Sequence, residues 1–196
     1  MTESSEHAEQ PVPLRKSEQT QQRILEAART CFAQLGYERA TIRTIAAAAN
    51  ADKSSVVKYF GSKQQLFRQA VHFDIPIDEL TSADPTTSAE SYLRSLLAGW
   101  AADPNSPMAV LLRTSMTSDE AAQLLRDRVE ADSMNRIAKH MDLPDADVRS
   151  GLFAAIMIGI ASGRYLLKLP NLADADLDEV IRIATPVVRA LISPGN

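Results

Sequence analysis

At 196 residues, with 45% apolar and 23% charged side chains, the chain has the make-up of a soluble globular protein of one large or two small domains, which argues against a disordered or fibrous one. Its net charge of −4 is uneven: residues 14–70 hold 10 Lys/Arg and 4 Asp/Glu, a balance of +6, while 11 basic and 21 acidic residues leave the remainder at −10. A basic head on an acidic body fits a protein that presents one part to a polyanion, the alternative being chance clustering on solvated faces. Cys31 is the one cysteine, so an intrachain disulfide is excluded and a reducing compartment fits. No apolar run follows a basic start, and the longest apolar run, residues 152–161, is short for a bilayer. A cytoplasmic protein with no membrane partner is expected.

Residues 1–13 are polar and acidic with Pro11 and Pro13, and read as a disordered tail. A first helix is expected over 17–35, capped by Ser17. Ile24, Ala28, Cys31 and Leu35 form its apolar stripe, with Leu25 and Phe32 alongside. Gly36 supplies a left-handed stop, after which Tyr37 folds back on the last turn. Cys31 on that stripe reads as a core thiol in preference to a redox sensor. Thr41 caps a second helix that turns Ile42, Ile45, Ala46 and Ala49 to one side, and Asn50 tolerates the left-handed angles that end it. Asp52 caps a third. Val56 and Phe60 point inward from it; Lys53, Ser54, Ser55, Lys58 and Tyr59 form a basic, hydroxyl-rich outer face. Residues 41–60 thus read as a helix-turn-helix.

A fourth helix opens on the capping box Ser62-Lys63-Gln64-Gln65, carries Leu66, Ala70 and Phe73 inward, and ends near Asp74 because of Pro76. After a Thr/Ser/Asp-rich loop over 81–90, a helix over 88–101 turns Tyr92, Leu93, Leu96, Leu97 and Trp100 inward. The break at 103–107 precedes a helix with Met108, Val110, Leu111, Leu112 and Met116. Ser118 starts another, running to 141. A helix over 145–169 places Gly151, Ala155, Gly159 and Gly163 four residues apart, a row of small side chains flanked by Leu152, Ile156 and Ile160. The last, over 177–192, should kink at Pro186. No strand-period segment or internal repeat is seen. The expectation is an all-α protein of about nine helices: a helix-turn-helix domain over 14–61 and a C-terminal helical domain over 62–196.

Tyr59, Phe60, Ser62, Lys63 and Leu66, with Ile24, Leu25, Ala27, Ala28, Phe32, Gly36, Tyr37, Thr41, Ile42, Ile45 and Ala46 upstream, carry a resemblance. In spacing and type these residues resemble the DNA-binding domain of the TetR family of transcriptional regulators. The chain departs from the family pattern at Asn50 and Ser54, where glycine is common, and at Val57, where an aromatic is common. The resemblance implies sequence-specific binding to double-stranded DNA by a homodimeric repressor that responds to a small apolar or amphipathic effector.

On that reading Thr41 and Arg43 meet a phosphate or a base near the groove wall. Lys53, Ser54 and Ser55 reach base edges, and Lys58, Tyr59 and Lys63 anchor phosphates. The plain alternatives are solvated lysines, and a Tyr59 packed on the first helix. The family's dimer surface is its last two helices, which here implies Gly151, Leu152, Ala155, Ile156, Gly159, Ile160, Gly163, Ile181, Ala184 and Val188. By pattern alone the glycine row fits an internal core contact equally well. Candidate effector-pocket residues are Phe73, Trp100, Met108, Leu112, Met116, Phe153, Met157 and Tyr165, each of which also reads as ordinary core. Arg113 and Arg164 are candidate partners of a ligand carboxylate or of neighbouring acids. His7, His72 and His140 lack metal-ligand spacing, and no nucleophile motif or phosphate-cradling glycine loop appears, so no metal, cofactor or catalytic residue is expected. The rival readings are an enzyme assembled across the fold and an adaptor using the helix-turn-helix to bind protein.

Overall fold

α1 (Lys16–Arg39) is long because its buried stripe, Ile24, Ala28, Cys31 and Phe32, keeps helical period to the end of the fourth turn and beyond. The structure, a computed structural model, describes residues 15–140 and 143–193; the expected tail over 1–13 and the helix end at 141 lie outside them. Ser17 does not cap α1. The N-cap position is Arg15, whose backbone N–H donates to the Glu18 carboxylate at 2.8 Å, so Ser17 falls inside the first turn. At Gly36 the backbone swings to φ 75°, and the last helical turn restarts beyond that kink. Tyr37 thereby folds back, its ring 5.9 Å from Phe32 and 5.0 Å from Phe67.

α2 (Ile42–Ala48) is capped by Thr41, whose hydroxyl accepts from the Thr44 N–H at 3.1 Å. Asn50 takes φ 47° and breaks the chain between α2 and α3 (Lys53–Phe60). Asp52 holds the N-cap position of α3 but makes no side-chain capping bond. α4 (Lys63–Ala70) opens on the full Ser62/Gln65 capping box and ends at Ala70, a turn earlier than the Pro76 break suggests. These four helices close over one core containing Ile24, Phe32, Ile45, Val56, Leu66 and Phe67. The head therefore runs on past residue 61 to include α4.

The remaining helices build a second core. α5 (Ile77–Leu80) is a single turn. α6 (Pro85–Ala102) starts three residues earlier than expected because Asp84 caps it, accepting from the Thr87 N–H at 2.9 Å. α7 (Pro107–Ser115) and α8 (Asp119–Arg128) are capped by Ser106 and Ser118. α8 continues through a π segment, Val129–Met134, into α9 (Asn135–His140). α10 (Ala146–Ala161) likewise passes into a π segment, Ser162–Leu166, before the single turn α11 (Pro170–Ala173) and α12 (Leu177–Ile192). α12 runs through Pro186 as one helix, and the Thr185 hydroxyl bonds back to the Ile181 carbonyl at 2.8 Å. The nine expected helices are recognisable; the two single turns and the π segments are additions, and the described residues contain no strand. The continuous helix Ala146–Leu166 is longer than the apolar run at 152–161 suggested, and by length and composition alone it could cross a membrane. Its inner side, through Phe153, Met157 and Ala161, is packed in the second core.

α7 belongs to both cores. Val110 and Leu111 enter the first, Ala109 and Leu112 the second, so four consecutive residues are buried. Arg94 of α6 pairs with Asp178 of α12 at 2.7 Å, and Arg136 of α9 donates to the Ile75 carbonyl at 3.1 Å and pairs with Asp78, tying down the segment between α4 and α6.

Phe67 has no exposed surface and meets both Phe32 and Tyr37 edge-on. Phe67→Ala is expected to cost about 3–5 kcal/mol in urea unfolding, whereas Val57→Ala on the exposed side of α3 should change stability by less than about 0.5 kcal/mol. Cys31 is buried beside this cluster, and burial pushes its thiol up from the ordinary range. A disulfide-exchange dye at pH 8 should therefore label Cys31 only after denaturation; rapid labelling of the folded protein would contradict its place in the core.

Candidate nucleic-acid interface

α3 is an eight-residue helix with a strict division of sides. Val56 and Phe60, one turn apart, are buried in the head core. Lys53, Ser54, Val57 and Lys58 face solvent, and Ser55 and Tyr59 are half-buried. The helix is thus held from behind and offers two cations and one hydroxyl fully outward, with the Ser55 and Tyr59 hydroxyls at the margin. Thr41, Arg43 and Thr44 at the start of α2 are also exposed and lie on the adjoining helix. The Thr41 hydroxyl is engaged with both the Thr44 N–H and the Thr44 hydroxyl, 2.6 Å away, so it closes the helix end and does not hold that end open.

Two of the expected anchors are more constrained than their residue types suggest. Lys63 Nζ sits 4.3 Å above the Tyr37 ring and donates to the Glu38 carbonyl at 3.3 Å, which places its charge at the turn after α1. Tyr59 packs against the head core and lies edge-on to Phe60 at 6.4 Å. Tyr59 is thus half-buried against the core, while Lys58 stands exposed on the same helix. Arg39 donates to the Leu35 carbonyl at 3.0 Å and Arg68 is exposed in the last turn of α4; neither was singled out from sequence, although both add to the basic head.

In the body, Phe73, Trp100, Met108, Phe153 and Met157 line one cavity of about 190 Å3 between α6, α10 and the segment after α4. The other three expected lining residues do not. Met116 is 71% exposed, because it follows the end of α7. Leu112 is buried in the second core, and Tyr165 stacks on Trp100 at 5.9 Å with its hydroxyl donating to the Leu97 carbonyl at 2.9 Å. Arg113 donates to Asn105 and the Pro104 carbonyl, at 3.2 and 2.7 Å, and Arg164 donates to the Leu172 carbonyl at 2.5 Å and lies over the Tyr165 ring, its buried Nε having no partner among the described residues. Neither lines the cavity.

The outer sides of α10 and α12 form an apolar surface, but its make-up differs from expectation. Leu152, Ala155 and Gly159 are exposed, with Gly151, Ile156, Ile160 and Ala184 half-buried. Ile181 and Val188 instead point into the second core, and Gly163 is buried where an added Cβ would meet the Leu172 and Leu169 side chains at 3.1 and 3.4 Å. From α12 the exposed positions are Ile183 and Val187, 59% and 52% exposed.

Known proteins fit this arrangement. The profile of bacterial regulatory proteins of the tetR family matches residues 24–70, and that of the tetracyclin repressor-like C-terminal domain matches residues 87–192. The chain belongs to the TetR family. It is 33% identical to the HTH-type transcriptional repressor AcnR of Corynebacterium efficiens over 85 residues, 43% of this chain and 42% of that protein. With AcnR of Corynebacterium glutamicum the identity is 42% over 52 residues, 26% of this chain and 28% of that protein. The matched stretches thus span less than half of either repressor. A TetR-family regulator from Streptomyces coelicolor shares the fold at a TM-score of 0.60 and 27% identity, covering 92% of this chain and 99% of that one. NalD, the secondary repressor of the MexAB-OprM multidrug efflux pump in Pseudomonas aeruginosa, superposes at a TM-score of 0.66 with 19% identity over 88% of this chain and 98% of its own, a likeness of fold alone. TetR-family proteins are transcription regulators and not enzymes, which removes the enzyme reading.

If Lys58 meets phosphate, Lys58→Ala should weaken binding to specific and random duplexes alike and reduce the salt slope by about one unit. Lys53→Ala or Ser55→Ala should instead alter which sequence is preferred, read by selection from random duplexes. Identical effects from all three would refute this sorting.

Proposed function

We propose that the protein is a DNA-binding repressor that acts as a homodimer on a palindromic operator and releases it when a small effector fills the body cavity. The observation that carries the reading is the two-sided α3: Val56 and Phe60 fix its back while Lys53, Ser54 and Lys58 stand in solvent on a head of net charge +6. Phosphates supply affinity for such a surface, and base edges in the major groove supply discrimination. A single eight-residue helix reads few base pairs. Two copies about a two-fold axis double the readout, with half-site centres about one helical turn, roughly 34–36 Å, apart.

The outer side of α10 and α12 supports the second copy as its occupant. Val148, Leu152, Ile183 and Val187 are each about half exposed or more, and Gly159 beside them lets a facing helix approach closely. The cavity supports an effector because its wall includes the segment that leads directly out of α4, which packs in the head. Binding that shifts this segment has the means to favour one head spacing over another.

Selection of genomic fragments by the purified protein tests the operator, with two chains per recovered palindrome and a steep loss of binding with salt as the expected result. Binding without salt dependence or sequence preference would return the helix-turn-helix to an adaptor role. The dimer has its own test. A Cβ at Gly159 meets nothing within 4 Å in the single chain, so Gly159→Leu should leave folding intact. It should yield monomers in sedimentation and lower operator affinity more than tenfold. An unchanged dimer would sink the proposed interface.

A further inference from the structure

The chemistry of the cavity wall narrows what can occupy it. Taking the body as effector-binding, on which this step rests, we infer that the cavity takes a compact, uncharged, single-ring aromatic molecule carrying one hydrogen-bond acceptor. Its volume is about 190 Å3; an apolar protein cavity of about 150 Å3 takes benzene and stays dry without it. That leaves room inside for one ring and a small substituent; a long acyl chain would have to run out past the exposed Ser95 and Gly99 and leave much of its length in water. The wall is aromatic and soft, with Phe73, Trp100, Phe153, Met108 and Met157 facing the space. Such side chains suit the face and edge of a ring.

One donor is poorly used. Trp100 Nε1 donates to Met108 Sδ at 3.4 Å, and a thioether is a weak acceptor. Both residues line the cavity, so a carbonyl or ether oxygen entering beside them offers the indole N–H a better partner, and the unbranched Met108 side chain has the freedom to withdraw. Of the other wall hydroxyls, that of Tyr92 bonds that of Thr81 and that of Ser106 caps α7, while Ser95 lies exposed at the mouth.

Charge is confined to the rim. Among the described residues the charged lining side chains are Asp74, 83% exposed, and Arg128, which bonds His72 and lies over the Phe73 ring at 6.0 Å. Their opposite signs give no net pull on an ion, and a charge carried to the inner wall would have no counter-charge there. An ionised ligand is therefore disfavoured.

Trp100 is the chain's one tryptophan, so its emission reports occupancy directly. The full chain would be titrated with methyl benzoate, toluene, benzoate and decanoate, by fluorescence and by calorimetry. The expected order is methyl benzoate tightest, toluene about fivefold weaker, and benzoate and decanoate weaker by tenfold or more. Trp100→Phe keeps the ring and removes the donor. In calorimetry it should weaken methyl benzoate about fivefold and leave toluene unchanged. Equal losses for both probes would overturn the donor role. If that variant fails to fold, the methyl benzoate to toluene ratio of the unaltered protein decides the same point. Benzoate or decanoate binding as tightly as methyl benzoate, or no binding by any probe, would overturn the inference. Operator binding is measured separately on the same samples. Methyl benzoate that occupies the cavity and leaves DNA affinity unchanged would overturn the regulatory reading alone and uphold the ligand class.

Discussion

Three aromatic rings hold the head in register. Phe32 from the body of α1, Tyr37 from beyond its Gly36 kink and Phe67 from α4 meet within 5.9 Å of one another. Without that cluster α1 would have no fixed exit and α4 no fixed seat. Lys63 also depends on it, since its charge rests on the Tyr37 ring. Burial drives the Tyr37 hydroxyl well above the ordinary tyrosine range, with the nearby Glu120 carboxylate adding to the effect. The same ring that positions α4 thus lies beside α8, which together with α7 brings the body against the head.

What the head does follows from which sides of its short helices are left free. α3 buries only Val56 and Phe60. Such a helix is marginal alone, and its direction is imposed by tertiary packing. The exposed cations then occupy places fixed by side chains that never meet the partner. This division of labour explains how the outer residues can depart from the family pattern at Ser54 and Val57 while the inner ones keep it.

Much of the head was legible in the sequence because each signal had a single local cause. Thr41 and Ser62 cap through their own hydroxyls, Gly36 and Asn50 take the left-handed angles, and the stripe of α1 has one phase. Ser17 misled because a capping-type residue two positions inside a polar start looks like a cap, while the Arg15–Glu18 contact that replaces it has no sequence signature of its own. The body was harder. α10 is apolar all round, so its periodicity has no phase; α12 has a clear apolar stripe, but a stripe does not say whether it covers this chain's core or a second chain, and Ile181 and Val188 lie inward where Ile183 and Val187 are exposed. Met116 differs for another reason: a large apolar residue past the last turn is buried only if something covers it, and among the described residues nothing does. The cavity was partly foreseen because aromatic and methionine side chains concentrate there, but which of them face the space depends on how three helices cross.

α7 is buried along Ala109, Val110, Leu111 and Leu112 without interruption, and its sides differ: Met108 in its first turn borders the cavity, while Val110 and Leu111 abut the head. A rod enclosed on all sides has no free flank on which to dissipate a push. If a guest that moves it loosens the duplex, thermodynamic symmetry requires that a clamped duplex loosen the guest by the same factor. Tight operators would then demand more effector for release than weak ones, so a single chain would grade its responses across a genome by site quality alone.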